Sequence, residues 1–127
     1  MTSANQMRFP IRFDTVYKLV SYAVLIPPSD SYLEISGDQV YVRMAWAFRA
    51  HFRRSSVAST APLKERPLSR GVHGFSGRWL VNGSGDGILV INFKSAQRGY
   101  VMGFPVGLKQ LMVSVDDPVA LATALKE

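Results

Sequence analysis

The residues best suited to chemistry in this chain are basic side chains on alternating positions of residues 39–54. They are Arg43, Arg49, His51 and Arg53, and Arg54 follows directly after them. Guanidinium groups bind carboxylates and phosphates through paired hydrogen bonds. Residues two apart in a β-strand point to the same face of the sheet. We therefore predict that these five residues form one basic face that binds an anionic partner.

A second set of basic residues supports a weaker hypothesis, a binding loop formed by Arg66, Arg70, His73 and Arg78. Positions 43 to 78 contain eight Lys and Arg residues and one Glu, a net charge of +7, whereas the whole chain carries +6. Such an asymmetry favours an acidic protein, an anionic lipid surface or a nucleic acid as partner. The alternative explanation is a surface that only keeps the protein soluble.

Motifs for catalysis or metal binding are incomplete in this sequence. Ser76 lacks the glycine spacing of a nucleophile elbow, and residues 83–87 lack the lysine of a phosphate-binding loop. With His51 and His73 as its histidines and no cysteine, the chain would need distant carboxylates to complete a zinc site. We therefore predict that the protein is not an enzyme and binds neither a metal nor a cofactor.

The basic face must be positioned by the apolar residues that alternate with it. These are Val40, Val42, Met44, Trp46, Phe48, Ala50 and Phe52. A period of two predicts half-buried β-structure with this set facing the core. Because the whole stretch is longer than a usual strand, we predict a tight reversal within residues 44–47 that divides it into two strands.

A short amphipathic helix is predicted before this stretch. Its apolar residues recur at helical spacing: Val16, Leu19, Val20, Ala23 and Val24. Asp14 can cap its start, and Pro27 with Pro28 ends it. A strand over residues 32–36 should then join the central stretch through a two-residue hairpin turn at Gly37 and Asp38.

The second half of the chain is predicted to contain further short strands, joined by turns and closed by a C-terminal helix. The strands are assigned to residues 55–61, 88–93, 100–104 and 108–115, with another around Trp79, a mobile loop at 62–70 and a turn at 94–97. Asp116 or Asp117 should cap the helix, and Leu121 and Leu125 should form its apolar stripe. So short a helix must dock on the sheet to persist.

Length and composition predict one globular domain. The chain has 127 residues, 47% of them apolar, and its first residues are polar. We assign residues 1–6 to a disordered N-terminus and residues 7–127 to the domain. The absence of cysteine excludes disulfides, and no apolar run is long enough to span a membrane. A cytoplasmic location is predicted, with peripheral membrane attachment as an alternative.

Residues 71–84 (GVHGFSGRWLVNGS) and 113–125 (VSVDDPVALATAL) resemble a family of small uncharacterised bacterial proteins with a pleckstrin-homology-like fold. The resemblance covers the C-terminal half best. It implies a mainly β, α+β structure: a PH-like antiparallel β-barrel or roll of about seven strands, with a C-terminal capping helix and a short N-terminal helix. It implies no catalytic residues and no ligand. The short acidic turn at Gly37 and Asp38 argues against phosphoinositide binding of the PH-domain type.

The leading hypothesis is a binding or scaffold module that contacts an acidic protein segment through its basic face or an open sheet edge. One alternative is peripheral attachment to anionic membrane lipid. The other is nucleic-acid binding. That alternative is less favoured because Trp46, Phe48 and Phe52 alternate with the arginines and are assigned to the inward face.

Overall fold

The computed structural model describes residues 6–63 and 71–126, and within these ranges the chain forms nine strands and two α-helices. The elements are β1 (Gln6–Pro10), α1 (Thr15–Ala23), β2 (Ser31–Ser36), β3 (Gln39–Met44), β4 (Phe48–Arg53), β5 (Val57–Pro62), β6 (Gly71–Phe75), β7 (Arg78–Asn82), β8 (Ile88–Val101), β9 (Phe104–Ser114) and α2 (Pro118–Lys126). The predictions for residues 1–5 and for most of the loop at 62–70 lie outside the described residues. Gln6 belongs to β1, where it pairs with Ser36.

The strands form one mixed sheet in the order β1-β2-β3-β4-β8-β9-β7-β6, and β5 pairs with β8 beside this path. The prediction of a mainly β protein with a C-terminal helix is confirmed. Two details of that prediction are wrong, because the described residues form nine strands rather than about seven and β7 pairs with β9 in parallel. The parallel pair arises because the chain reverses direction twice, once before β8 and once after it, so β7 and β9 run the same way.

The segment that follows β1 contacts strands from the other half of the sheet order. Ile11 forms an isolated antiparallel bridge with Val115, and the Arg12 N–H donates to the Ser114 carbonyl at 2.9 Å. Phe13 forms a parallel bridge with Gly83. The sheet therefore curls until the chain after β1 lies beside the ends of β7 and β9.

The predicted reversal in the central stretch is confirmed. β3 and β4 pair antiparallel, from Gln39 opposite Arg53 to Met44 opposite Phe48. Trp46 does not face the core, however, because its side chain is 52% exposed at the turn. Ala45 has a φ of 45°, and this left-handed residue breaks the alternation, so that Ala45 and Ala47 are buried instead.

β8 continues through the predicted turn at residues 94–97, so that prediction is wrong. The run of small and polar residues there is accommodated as an irregularity, with the register to β9 shifting between Asn92 and Gln97. The chain reverses later, at Met102 and Gly103, which have φ values of 50° and 86°. Two positive values in succession are typical of tight hairpin turns.

Both helices occur where they were predicted. Asp117 caps α2, because its Oδ1 accepts a hydrogen bond of 3.1 Å from the Ala120 N–H. Leu121 and Leu125 are buried in the main hydrophobic core, between α2 and the inner face of the sheet. α2 therefore docks on the sheet as expected.

Candidate functional site

The β3–β4 hairpin places most of the predicted basic face on one exposed surface. Arg43 lies directly opposite Arg49, Tyr41 opposite His51, and Gln39 opposite Arg53. All four basic side chains among these residues are exposed, while the residues that alternate with them are buried. Alternation along the two strands is therefore sufficient to bring Arg43, Arg49, His51 and Arg53 together.

Arg43 and Arg49 form a like-charged pair across the two strands, an arrangement that is destabilising when neither charge has another partner. Each arginine turns to a partner of its own. The Nε of Arg43 lies 3.0 Å from Oδ1 of Asp30, and the guanidinium of Arg49 lies 4.5 Å from the centre of the Tyr100 ring. Asp30 thus offsets the charge of Arg43, whereas Arg49 keeps its positive charge on the sheet's outer face.

The neighbouring strands β1 and β2 extend this outer face. Arg8 binds Glu34 through two hydrogen bonds, the shorter one of 2.7 Å from Nη2, and Gln6 donates to the other carboxylate oxygen. The Arg8 guanidinium also lies 4.0 Å from the centre of the Tyr32 ring. The hydrogen bonds from Arg8 first, and from Gln6 second, lower the pKa of Glu34 from its ordinary value.

Replacing Glu34 with Gln should lower stability slightly at neutral pH and have no effect in acid. A carboxylate whose pKa is lowered by folding stabilises the protein above its unfolded-state pKa, and this contribution disappears as the pH falls through the lower folded-state value. The difference in urea midpoint between the wild type and E34Q should therefore vanish at a pH below the lowered pKa. D38N, which alters an exposed turn carboxylate, serves as the control. A pH-independent difference for E34Q would contradict the prediction.

These strands and β8 enclose a shallow open groove on the outer face, of about 470 Å³. It is lined by Tyr32, Glu34, Tyr41, Val42, Arg43, Arg49, Ala50, His51 and Tyr100, and we call it the outer-face groove. Of its three tyrosines, Tyr41 follows the alternation that predicts the basic face. Tyr32 alternates with buried residues on β2 and could have been assigned to this face as well, whereas Tyr100 is placed by the pairing of β4 with β8.

Each tyrosine ring of the groove is engaged by a neighbouring side chain. Tyr41 stacks on His51 with 4.4 Å between the ring centres, and the His51 Nε2 forms a hydrogen bond with the Gln39 side chain. The guanidinium group of Arg8 lies over the Tyr32 ring, and that of Arg49 lies over the Tyr100 ring. These contacts fix the orientation of the side chains that a ligand would meet.

Arg54 is the member of the predicted face that the structure places elsewhere. Its Nη1 donates a 3.0 Å hydrogen bond to the carbonyl of Ala124, in the last turn of α2. A cation there interacts favourably with the helix dipole and with a carbonyl left unpaired by the helix end. Arg54 follows the end of β4, where a short 3₁₀ turn interrupts the alternation. Arg54 therefore binds the end of α2 and does not line the groove.

The second predicted set is only partly described, because Arg66 and Arg70 lie outside the described residues. His73 is exposed on β6, and the Nε of Arg78 on β7 donates to the Gln110 side chain at 3.0 Å. β6 and β7 stand at the far end of the strand order from β1 and β2. Neither His73 nor Arg78 lines the outer-face groove.

Comparison of the chain with protein-family models, with curated proteins and with solved structures finds no match. The family resemblance accordingly stays a prediction. Among residues 6–63 and 71–126, no cluster of three or more His, Asp or Glu side chains is arranged to hold a metal ion. No helix in the same ranges is long and apolar enough to cross a membrane.

Proposed function

We propose that this protein is a non-enzymatic binding module that holds an acidic segment of a protein partner in the outer-face groove. The directly opposed pair Arg43 and Arg49 carries the proposal. Two guanidinium groups on adjacent strands, in a concave surface with tyrosine rings, suit the carboxylates of an extended acidic peptide. Asp30 already pairs with Arg43, so an anionic ligand would neutralise the charge of Arg49.

The charges around the groove indicate where the ligand's carboxylates would bind. Arg8 is neutralised by Glu34, and Arg43 is paired with Asp30. Within the described part of the chain, Arg49 and Arg53 form no ion pair, so they supply the excess positive charge on β4. A peptide carboxylate would therefore bind at Arg49, with Arg53 available four residues further along the strand.

The same geometry argues against nucleic acid as the ligand of this groove. A base-binding surface needs aromatic faces on which bases can stack. Here a side chain of the protein covers one face of Tyr32, of Tyr41 and of Tyr100, so each ring has at most one face left for a base. A flat lipid surface also fits a concave groove poorly. A carboxylate-bearing peptide uses the arginines and the tyrosine hydroxyls without needing the ring faces.

The proposal of a non-enzymatic role is supported by how the groove's titratable groups are used. Glu34 is held by Arg8 and Gln6, and His51 is held by Tyr41 and Gln39. Acid–base chemistry would need one of these groups to be available to a substrate. In the groove both are engaged in contacts that orient the binding surface.

We further propose that residues 7–127 form a single PH-like roll. The bridge between Ile11 and Val115 supports this proposal, since it joins the chain after β1 to the end of β9. α2 supports it as well, because Leu121 and Leu125 cover the core in the manner of a capping helix. The mixed pairing of β7 with β9 is a departure that a purely antiparallel roll would not show.

The test is the affinity of the protein for a labelled peptide rich in Asp and Glu, measured by fluorescence anisotropy. We expect R49Q to weaken binding at least about tenfold, because losing a charge-assisted hydrogen bond costs about 1.5–3 kcal/mol. R78Q is the matched control, since it removes the same charge from an exposed arginine on β7. No binding by the wild type, or an equal loss in both variants, would overturn the proposal. Tighter binding of single-stranded nucleic acid would favour that alternative.

A further inference from the structure

The apolar stripe of α1 faces away from the protein. Val16 and Leu19 are 75% and 73% exposed, and Val20 is half exposed. Ser21 is buried instead, and its hydroxyl donates to the Lys18 carbonyl at 2.7 Å. A surface helix ordinarily turns its apolar stripe to the core. α1 does the reverse, so its stripe is unpartnered within the described chain.

The turns beside α1 continue this apolar surface. The Trp46 indole donates a 2.9 Å hydrogen bond to the Val24 carbonyl, which joins the β3–β4 turn to the end of α1. The Met102 N–H donates to the Ala47 carbonyl at 3.0 Å, which joins the β8–β9 turn to the β3–β4 turn. Trp46, Met102 and Phe104 are all more than half exposed. We call the exposed side chains at this end of the molecule the apolar end: Val16, Leu19, Val20, Val24, Leu25, Trp46, Met102 and Phe104.

Two members of the apolar end occupy backbone positions that disfavour them. Leu25 and Met102 have φ values of 61° and 50°, in the left-handed region where Gly or Asn is usual. Both side chains are largely exposed, so burial in the core does not compensate for the strain. A glycine would serve the helix end at Leu25 and the hairpin turn at Met102 better. The apolar side chains at these positions therefore suit a contact outside the chain.

We propose that the apolar end docks the protein on an anionic membrane surface, with α1 lying in the interface. Its side chains project singly from a helix and from separate turns. A protein partner would need a pocket for each projection, whereas the boundary between headgroups and acyl chains accommodates them without one. Trp46 and the exposed Tyr22 combine an apolar ring with a polar group, as interfacial residues do.

The charge of the chain suits this partner. Lys18 extends from the exposed side of α1, and the basic window of residues 43–78 begins directly before the β3–β4 turn that carries Trp46, so positive charge adjoins the apolar end and attracts anionic lipid. The surface is separate from the outer-face groove, because none of its members lines the groove. The two proposals can therefore fail independently.

The test is cosedimentation with vesicles of phosphatidylcholine, alone and mixed with phosphatidylserine. The variant L25G/M102G removes two apolar projections while relieving both left-handed strains, so its thermal midpoint should equal or exceed that of the wild type. Its partitioning onto the mixed vesicles should fall about tenfold or more, and the wild type should bind these better than phosphatidylcholine alone. V119S, at an exposed apolar residue of α2 outside the apolar end, should bind as the wild type does.

Three results would overturn the proposal. The first is a wild type that stays in solution with both kinds of vesicle. The second is an L25G/M102G variant that folds and binds as the wild type does. The third is a wild-type dimer, seen by analytical ultracentrifugation without lipid, that L25G/M102G converts to a monomer. That result would assign the apolar end to a second copy of this chain.

Discussion

Replacing Phe48 with alanine is expected to lower the free energy of unfolding by about 3–5 kcal/mol. Phe48 begins β4 and is among the largest fully buried side chains, with 1% of its surface exposed. Its register partners are Met44 on β3 and Val101 on β8. Removing the Phe48 ring would leave a cavity between β3, β4 and β8. This cavity cannot close unless the backbone of these strands moves. The loss in free energy of unfolding is measured from the midpoint of urea denaturation and from the dependence of this free energy on urea concentration.

The control for this prediction is Trp46→Ala, only two positions away. Its side chain is half exposed and makes one described hydrogen bond, to Val24, so the loss should be clearly smaller, about 1–2 kcal/mol. The sequence alone would assign both aromatic residues to the same core face. Equal destabilisation by the two substitutions would show that Trp46 is buried, in conflict with the structure.

Deleting residues 117–127 is expected to abolish cooperative unfolding. The deletion removes Leu121, Ala124 and Leu125 from the core, and each of the two leucines contributes about 1.5–3 kcal/mol of burial. It also removes the carbonyl that Arg54 binds. Because small domains are stable by only about 5–15 kcal/mol, this loss takes a large part of the total. Near-ultraviolet circular dichroism during heating should show no sharp transition.

A single substitution in the same helix provides the control for the deletion. Thr123 is exposed on α2, and T123A should leave the thermal transition almost unchanged. A truncated chain that unfolds as sharply as the full chain, and at the same temperature, would contradict the account. It would mean that α2 does not cover the core.

The sequence predicts the local features of the fold well. Alternation of apolar and basic residues predicts β3, β4 and the reversal between them, and Asp117 with Pro118 indicates the start of α2. The position of Trp46 could not be predicted, because the phase of the alternation changes at the left-handed residue Ala45. A period gives the two faces of a strand only as long as the strand remains regular.

Features that depend on distant partners could not be predicted. Residues 94–97 have the composition of a turn, yet β9 holds β8 together on both sides of them. The parallel pairing of β7 with β9 likewise depends on how the later hairpin is placed. For α1, the period predicts a stripe at Leu19 and Val20 but cannot tell which way the stripe faces.

The same distinction between local patterns and distant partners applies to the residues of the candidate site. Arg43, Arg49, His51 and Arg53 could be grouped from alternation alone. Tyr100 could not be added, because only the register between β4 and β8 places it beside Arg49. The sequence groups Arg54 with the others because it adjoins Arg53, but the 3₁₀ turn directs its side chain to α2.

The measurement that tests the central claim most directly is the change in amide chemical shifts when the acidic peptide is added to the isotope-labelled protein. If the outer-face groove binds the peptide, the largest changes should fall on Tyr41, Arg43, Arg49 and Tyr100. Amides of β6 and β7 should change little. Changes concentrated on α1 or on β6 and β7, or small changes spread evenly over the chain, would contradict the account.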